Sequence, residues 1–323
     1  MPGHVPQPAG GCSVLVTGGA GFIGSHLADA LLALGHRVVV LDDLSTGDVR
    51  RIPPEVRFVK GDIRDPGLDA LLLDEKVDTV FHLAAQVDVR RSVDDPVFDA
   101  EVNVLGTIRV AQASALAGVA QVIFSSSGGA IYGDPVGEKA DEEHPLNPCS
   151  AYGVAKLAGE KYLAALAPDA GYRLTILRYA NVYGPRQDGR GEAGVIGIWM
   201  NRLLSGQDAV VNGDGGQTRD FVHVADVVAA NQAAFLHRVP GVFNVGTGVE
   251  TSLKELYRLV VSACGTDAPP RFGPARPGEQ RRSVLDPSRA QAALGLAEVV
   301  PLAEGMRATS EWFRLHRAQQ GLG

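Results

Sequence analysis

The first half of the chain alternates short, unbroken apolar runs with longer segments whose apolar positions recur every three or four residues. Ser13–Thr17 (SVLVT) is the first run, and it stops at glycines. Phe22–Leu34 follows, with Phe22, Ile23, Leu27, Leu31 and Leu34 spaced along one helix face and Gly35 ending it. Arg37–Leu41, Val56–Lys60, Thr79–Leu83, Val122–Ser125 and Leu174–Arg178 repeat the strand signature, and Glu101–Ala117 and Ser150–Ala167 read as helices. Runs that are apolar throughout, rather than alternating, fit strands covered by helices on both faces. The expected fold class is α/β: a Rossmann-type, doubly wound parallel sheet with right-handed crossovers. Beyond Tyr183 the pattern thins. Gly and Pro gather in Tyr183–Gly194, Asn212–Gln217 and Pro269–Gly278, which read as loops of the kind that contact substrates.

Composition narrows the picture. The 323 residues are 45% hydrophobic and 21% charged, enough to bury a core. The net charge is −7 with no long basic run, which disfavours nucleic-acid binding. No apolar run reaches the roughly 18 residues of a membrane span. Residues 1–11 (MPGHVPQPAGG) lack a basic start and an apolar centre, so a flexible tail is expected rather than a signal peptide. Cys12, Cys149 and Cys264 lie far apart without metal-type spacing, which suits reduced thiols in a cytoplasmic protein and no metal site.

Thr17–Gly24 (TGGAGFIG) sits between the first strand and the first helix, with Gly18, Gly21 and Gly24 three apart. Glycines there let the backbone approach a pyrophosphate, and the helix start, with Phe22 and Ile23, offers free N–H groups. In a chain with 39 glycines the spacing alone is weak; its placement makes it a dinucleotide site. The second strand ends at Asp42-Asp43. A carboxylate there accepts from ribose hydroxyls and repels a 2′-phosphate, so NAD is favoured over NADP. Asp43 reads more readily than Asp42 as a simple turn residue. Asp62-Ile63 after the third strand are candidates to hold adenine. Leu83, Ala84 and Ala85 end the fourth strand, small enough for close packing of a cofactor; His82 is read as structural.

Tyr152 and Lys156 are four apart on a predicted helix, hence on one face. A free tyrosine, with a pKa near about 10, is a poor base. A nearby ammonium and a cationic nicotinamide ring favour its phenolate, and the lysine can also hold the nicotinamide ribose. Ser125-Ser126-Ser127 ends a buried strand at the same edge. Ser127 is the candidate hydroxyl partner, with Ser126 the fallback.

Together, TGGAGFIG at 17–24, DDLSTG at 42–47, GDIRD at 61–65, HLAAQ at 82–86, FSSSGGAIYGD at 124–134, YGVAK at 152–156, RYANVYGPRQ at 178–187, RDFVHVADV at 219–227 and RPGE at 276–279 span nearly the whole chain. The set resembles the extended short-chain dehydrogenases/reductases that act on nucleotide sugars, and most of all the UDP-glucose 4-epimerase group. The resemblance implies a Rossmann domain holding NAD (12–182 with about 219–247) and a smaller C-terminal α/β domain gripping a UDP-sugar (about 183–218 and 248–323). It makes Tyr152 the base, Lys156 its electrostatic partner and Ser127 the hydroxyl partner. Asn181 would contact the substrate phosphates, and Arg219 and Arg276 the pyrophosphate, a bidentate task suited to guanidinium. It also implies a homodimer joined by a four-helix interface of Glu101–Ala117 and Ser150–Ala167. Gly128-Gly129 lengthens the loop after the serines relative to many epimerases, which leaves Ser126 and Ser127 both open.

The implied reaction oxidises C4 to a transient 4-keto sugar, which turns and is reduced on its other face. UDP-glucose/UDP-galactose is the expected pair. Ser283, small where a bulky residue would exclude 2-N-acetyl sugars, also admits UDP-N-acetylglucosamine. UDP-glucuronate is the alternative if Arg186 or Arg190 turns inward. A 4,6-dehydratase or a decarboxylase needs acidic groups where Gly128-Gly129 stand, and a non-catalytic NAD-binding regulator would need neither Tyr152 nor Lys156.

Overall fold

In the computed structural model, residues 11–319 are described apart from 136, 138, 190–193, 276–279 and 297. All but the last residue of the expected N-terminal tail therefore lies outside the described residues. The chain opens with β1 (Ser13–Thr17), α1 (Phe22–Ala33), β2 (Arg37–Asp42), β3 (Arg57–Lys60), α2 (Leu68–Asp74) and β4 (Thr79–His82). Next come α3 (Val89–Asp94), α4 (Pro96–Ala100), a π turn at Glu101–Leu105 and α5 (Gly106–Leu116). They lead to β5 (Gln121–Ser127), the single turn α6 (Gly128–Ile131), α7 (Ala151–Ala170) and β6 (Arg173–Tyr179). The remainder runs β7 (Asn181–Tyr183), α8 (Val195–Leu204), β8 (Val210–Asn212), β9 (Thr218–His223), α9 (Val224–His237) and β10 (Gly241–Val245). It ends with β11 (Glu250–Ser252), α10 (Leu253–Ala263), β12 (Arg271–Gly273), β13 (Arg282–Ser283), α11 (Ser288–Leu294) and α12 (Leu302–Gln319).

Seven strands form one sheet in the order β10-β6-β5-β4-β1-β2-β3, every neighbouring pair parallel. The order reverses between β1 and β4, so the crevice at their carboxyl ends is the topological switch point where such sheets bind ligands. One apolar layer beneath the sheet collects Val14, Leu27, Phe81, Phe235 and Phe243, and the opposite layer collects Leu15, Val80, Phe124 and Leu163. The expected doubly wound architecture is what the chain adopts.

Two sequence expectations change. The helix expected at Glu101–Ala117 begins earlier, at Pro96: Asp95 accepts from Phe98 N (3.1 Å) and proline occupies the first turn, where its missing N–H costs nothing. It is also interrupted by the π turn. There Asn103 turns its amide to the Gln86 backbone, accepting from its N–H and donating to its carbonyl, both at 2.9 Å, and a widened turn leaves room for that reach. The Pro269–Gly278 loop contains β12, a three-residue strand pairing with β8, too short to register as an apolar run.

A third apolar cluster lies beyond the sheet, around Tyr183, Trp199, Met200, Leu256, Tyr257 and Phe313. Around it β9 is paired by β7, β11 and β13. Leu285, Ala290 and Leu294 pack back into the first layer under the sheet. Trp199 is 1% exposed, donates to the Val210 carbonyl at 2.9 Å and meets Tyr257 edge-on. Trp199→Ala is expected to destabilise the protein by about 3–5 kcal/mol, read from urea unfolding midpoints, because it opens a cavity and strands that carbonyl.

Candidate active site

The loop after β1 is pressed onto the end of β4. Gly18 takes φ +68°, and a Cβ there would lie 2.8 Å from the Ala84 backbone; one at Gly24 would lie 2.2 Å from the Gly18 carbonyl oxygen. Only glycine permits this approach. Helix α1 starts at Gly21 with no side-chain cap and no acidic residue in its first turn, so its positive end is left for a ligand. Phe22 and Ile23 line that first turn, half-buried. Thr17, at the end of β1, accepts from Leu83 N (3.2 Å) and Ala84 N (3.1 Å), and its hydroxyl bonds His82 Nδ1 at 2.8 Å. The other His82 nitrogen reaches Thr107 at 3.0 Å. His82 is thus a buried strut that sets β4 beside the glycine loop.

Asp42 is 7% exposed, and its two oxygens accept from Ala20 N (2.9 Å) and Leu44 N (2.8 Å), which locks the carboxylate against the glycine loop. Burial raises its pKa, with those two N–H groups pulling the other way. Asp43 is exposed and closes an Asx turn on Ser45 N at 2.8 Å. Asp62 is engaged by Arg64 (2.6 Å), while Ile63 is 4% exposed and packed under Gly106. This end of the sheet therefore offers a glycine cradle, an uncapped helix and a fixed carboxylate, a donor and acceptor set that fits a dinucleotide.

Two strands away, β5 ends in the three serines and α7 crosses above it. Ser150 caps α7 by accepting from Gly153 N (3.1 Å), and Tyr152 N donates to Ser92 Oγ (3.1 Å). The Ser127 side chain sits beside the Tyr152 hydroxyl and works to lower its pKa. Ser126 faces away, donating to Glu160 Oε1 at 2.5 Å, and Ser125 pairs with Tyr179 at 3.0 Å. Of the two serines left open by the sequence, Ser127 is the one beside Tyr152. Lys156 is 4% exposed; its Nζ donates to the Ser125 carbonyl at 2.8 Å and lies 4.8 Å from the centre of the Phe124 ring.

Burial pushes Lys156 down to about 8, against Glu160 and Asp99, which favour its ammonium. Burial pushes Tyr152 up to about 12; the Ser127 hydrogen bond works against this and Asp99 with it. Among the protein's own groups, desolvation outweighs the Ser127 contribution that favours the phenolate.

Asn181, on β7, has a buried Oδ1 with no hydrogen-bond partner among the described residues. A Cβ placed on Gly129 would lie 3.6 Å from that oxygen and 3.9 Å from Ser283 Oγ, so the three positions share one wall. Gly128 lies under Leu285, where a Cβ would approach to 2.6 Å. Arg219 donates to the Thr218 and Gln280 carbonyls (2.8 and 2.7 Å). Arg276 itself, like Arg190, lies outside the described residues. Arg186 pairs with Asp29 on α1 (2.6 Å) rather than turning toward a sugar. Asp220 is not paired with Arg219 but accepts from Thr247 N (2.9 Å) and Gly248 N (3.0 Å).

The pattern of the NAD dependent epimerase/dehydratase family matches residues 14–246. The chain belongs to this family. Its relatives include the UDP-glucose 4-epimerase of Mycolicibacterium smegmatis, 50% identical over 306 residues, covering 93% of this chain and 98% of that one. Among solved structures, UDP-glucose 4-epimerase from Thermotoga maritima with UDP-glucose superposes with a TM-score of 0.91 at 43% identity, covering 94% of this chain and 99% of that one. The Thermus thermophilus UDP-glucose 4-epimerase complex with NAD gives 0.89, also at 43% identity and over 94% and 99% of the two chains.

Sequence reasoning missed several polar groups that brace the elements of this candidate site: Ser92, Asp99, Asn103, Tyr132, Glu160 and Asn244. One signal was available. Arg178 ends a run of buried apolar residues, and a charge there demands a buried counter-charge. Glu160, one turn after Lys156, was the acid at the right spacing.

His82 gives a test of the strut. Burial, reinforced by Lys156, pushes its pKa down to about 3, below the ordinary unfolded value of about 6.5. As pH falls below the unfolded value, the unfolded chain takes up the proton first. Its contribution to stability is therefore intact above about 6.5 and declines by about 1.4 kcal/mol per pH unit toward about 3. Urea unfolding of wild type between those limits should show this extra slope, and His82→Gln should lack it.

Proposed function

We propose that this chain is a UDP-sugar 4-epimerase that inverts C4 of a UDP-hexose through a transient 4-keto sugar, with UDP-glucose and UDP-galactose as the principal pair. One observation carries the reading: Ser127, Tyr152 and Lys156 meet on the sheet edge that carries the glycine cradle, and the two positions after Ser127 are glycine. A dehydratase or a decarboxylase needs an acid or base there, and glycine transfers no proton. The UDP-glucose and NAD complexes of relatives 43% identical over nearly the whole chain support the same reading.

Gly18, Gly21, Phe22, Ile23, Gly24 and Asp42 hold NAD in this proposal, with Leu83, Ala84 and Ala85 as the floor; Asp43, Asp62 and Ile63 stand at the adenosine end. Bound there, NAD supplies a reversible hydride acceptor and a cationic ring that favours the Tyr152 phenolate. Tyr152 takes the proton of the sugar 4-hydroxyl and later returns it. Ser127 hydrogen-bonds the same oxygen and shares the proton's path. Lys156, held by the Ser125 carbonyl, keeps a positive charge beneath the phenolate and holds the nicotinamide ribose. Asn181, Arg219 and Arg276 grip the UDP phosphates. Residues 12–182 with about 219–247 form the NAD-binding part, and about 183–218 with 248–323 the sugar-binding part; the separate core around Trp199 supports that division.

Ser283 favours a second substrate. It is 4% exposed and shares a wall with Gly129 and Asn181, and its small side chain leaves room for a 2-N-acetyl group. A homodimer is part of the same proposal. Val93, Val97, Leu105, Val154 and Tyr162 stand 47–68% exposed on the α3–α5 and α7 side of the molecule, where a four-helix interface would cover them. A cytoplasmic location fits three unpaired cysteines. No helix among the described residues is long and apolar enough to cross a membrane.

Proton NMR of UDP-glucose and UDP-N-acetylglucosamine, each with protein and NAD, should show galacto-type anomeric signals without net NADH. A 4-keto-6-deoxy sugar, a pentose or no turnover would overturn the assignment. Tyr152→Phe should lower kcat about 100- to 10,000-fold. Because the Lys156 ammonium is required and its pKa lies at about 8, wild-type kcat should fall as pH rises through that value. Ser283→Tyr should keep UDP-glucose turnover and lose that of UDP-N-acetylglucosamine. Light scattering should give twice the chain mass, and Val97→Glu should return the monomer.

A further inference from the structure

Lys156 is not the last polar residue on its helix face. One turn further along α7, Glu160 is 2% exposed. Its Oε2 accepts from Arg178 Nη2 on β6 at 2.7 Å, and its Oε1 from Arg178 Nε at 3.0 Å. Oε1 also accepts from Ser126 Oγ at 2.5 Å. Ser126 lies between the two residues of β5 that face the proposed reaction machinery: Ser125, whose carbonyl holds Lys156, and Ser127, which sits beside Tyr152. Tyr152, Lys156 and Glu160 therefore engage three consecutive residues of one strand end from three consecutive turns of one helix.

We propose that Glu160 is a positioning residue for the epimerisation: paired with Arg178, it holds Ser126 and so fixes β5 against α7 at the height where Ser127 meets Tyr152 and the Ser125 carbonyl meets Lys156. This rests on the epimerase reading above. Arg178 is itself clamped. Its Nη1 donates to Tyr132 Oη (2.8 Å), Tyr132 donates to Asn244 Oδ1 (2.8 Å), and Asn244 donates to the Ala140 carbonyl (2.9 Å). A buried pair with every polar atom directed in this way defines one arrangement of its neighbours, where an apolar contact tolerates sliding.

The carboxylate also acts through space. The groups facing Lys156 are Glu160 on its own helix, Asp99 on α4, His82 on β4 and the Phe124 ring on β5. Glu160 and Asp99 favour the ammonium, while His82 is neutral. Without the charge of Glu160, Lys156 loses its proton at lower pH.

The test compares wild type, Glu160→Gln, Glu160→Asp and Ser126→Ala, all saturated with NAD, by kcat, KM for the UDP-sugar, pH–rate profile and thermal unfolding. Glu160→Gln should lower kcat about 10- to 100-fold while KM stays within about twofold, since a misplaced reacting group costs rate rather than substrate affinity. Its alkaline limb should move about half a pH unit or more toward acid. Glu160→Asp should restore the limb and part of kcat. Ser126→Ala, which keeps the ion pair, should lower kcat at least about threefold with unchanged KM. A folded Glu160→Gln with wild-type kcat and limb, or one altered only in KM, overturns the inference. If that variant does not fold, wild-type kcat in Ser126→Ala overturns it. An active wild type with unchanged variants removes this inference alone; a wild type that turns over no UDP-sugar removes the epimerase reading and this inference with it.

Discussion

A carboxylate and a guanidinium taken out of water together must face each other, and in this protein that requirement joins β6 to α7 at Glu160 and Arg178. Desolvation of both charges is costly, so the arrangement persists only with close geometry and with the remaining polar atoms satisfied. Here Ser126 and Tyr132 take those remaining positions. Burial works against the charge of Arg178, yet the hydrogen bonds it donates to Glu160 leave its pKa raised. The ends of β5 and β6 are consequently tied to α7 through one buried group of side chains. The serines and Tyr152 inherit their spacing from it.

The second constraint is the switch point between β1 and β4. A glycine at 18 brings the loop onto Ala84, and Thr17 with His82 fixes the relative height of the two strand ends. Neither device is chemical in itself. Their effect is that a cofactor cradle and a Tyr–Lys helix, about 130 residues apart in sequence, open onto one sheet edge. The burial that sets Lys156 at about 8 and Tyr152 at about 12 comes with this closeness. Burial leaves Tyr152 poorly suited to take a proton, so in the proposed reaction its service as the base would be coupled to a positive charge arriving in the cradle.

The parallel sheet was legible because β1, β2, β4 and β5 each carry a bare apolar run, and the glycine turn because it sits where strand gives way to helix. Tyr152 and Lys156 were legible from spacing. What stayed hidden follows from the physics of each case. The π turn at 101–105 carries an asparagine whose side chain bonds Gln86, a contact 17 residues away that no local period reveals. Asp42 announces a carboxylate at the strand end but not that Ala20 and Leu44 hold it in place. The choice between Ser126 and Ser127 needed the strand's pleat, which turns alternate side chains to opposite faces and sends one hydroxyl to Glu160 and the next to Tyr152.

The same pleat bears on what the site does to a sugar once C4 is oxidised. Elimination of water from such an intermediate needs a proton donor for the leaving oxygen and a base for the neighbouring carbon. The chain places Gly128 and Gly129 directly after Ser127. Leu285 occupies the space a side chain at 128 would need, whereas a Cβ at 129 would make only ordinary contact with Asn181 and Ser283. The glycine at 128 is thus built into the packing between β5 and the segment around β13. In the proposed reaction a 4-keto sugar would meet two glycines directly after Ser127, and return of hydride to either face asks for no acid or base at those two positions.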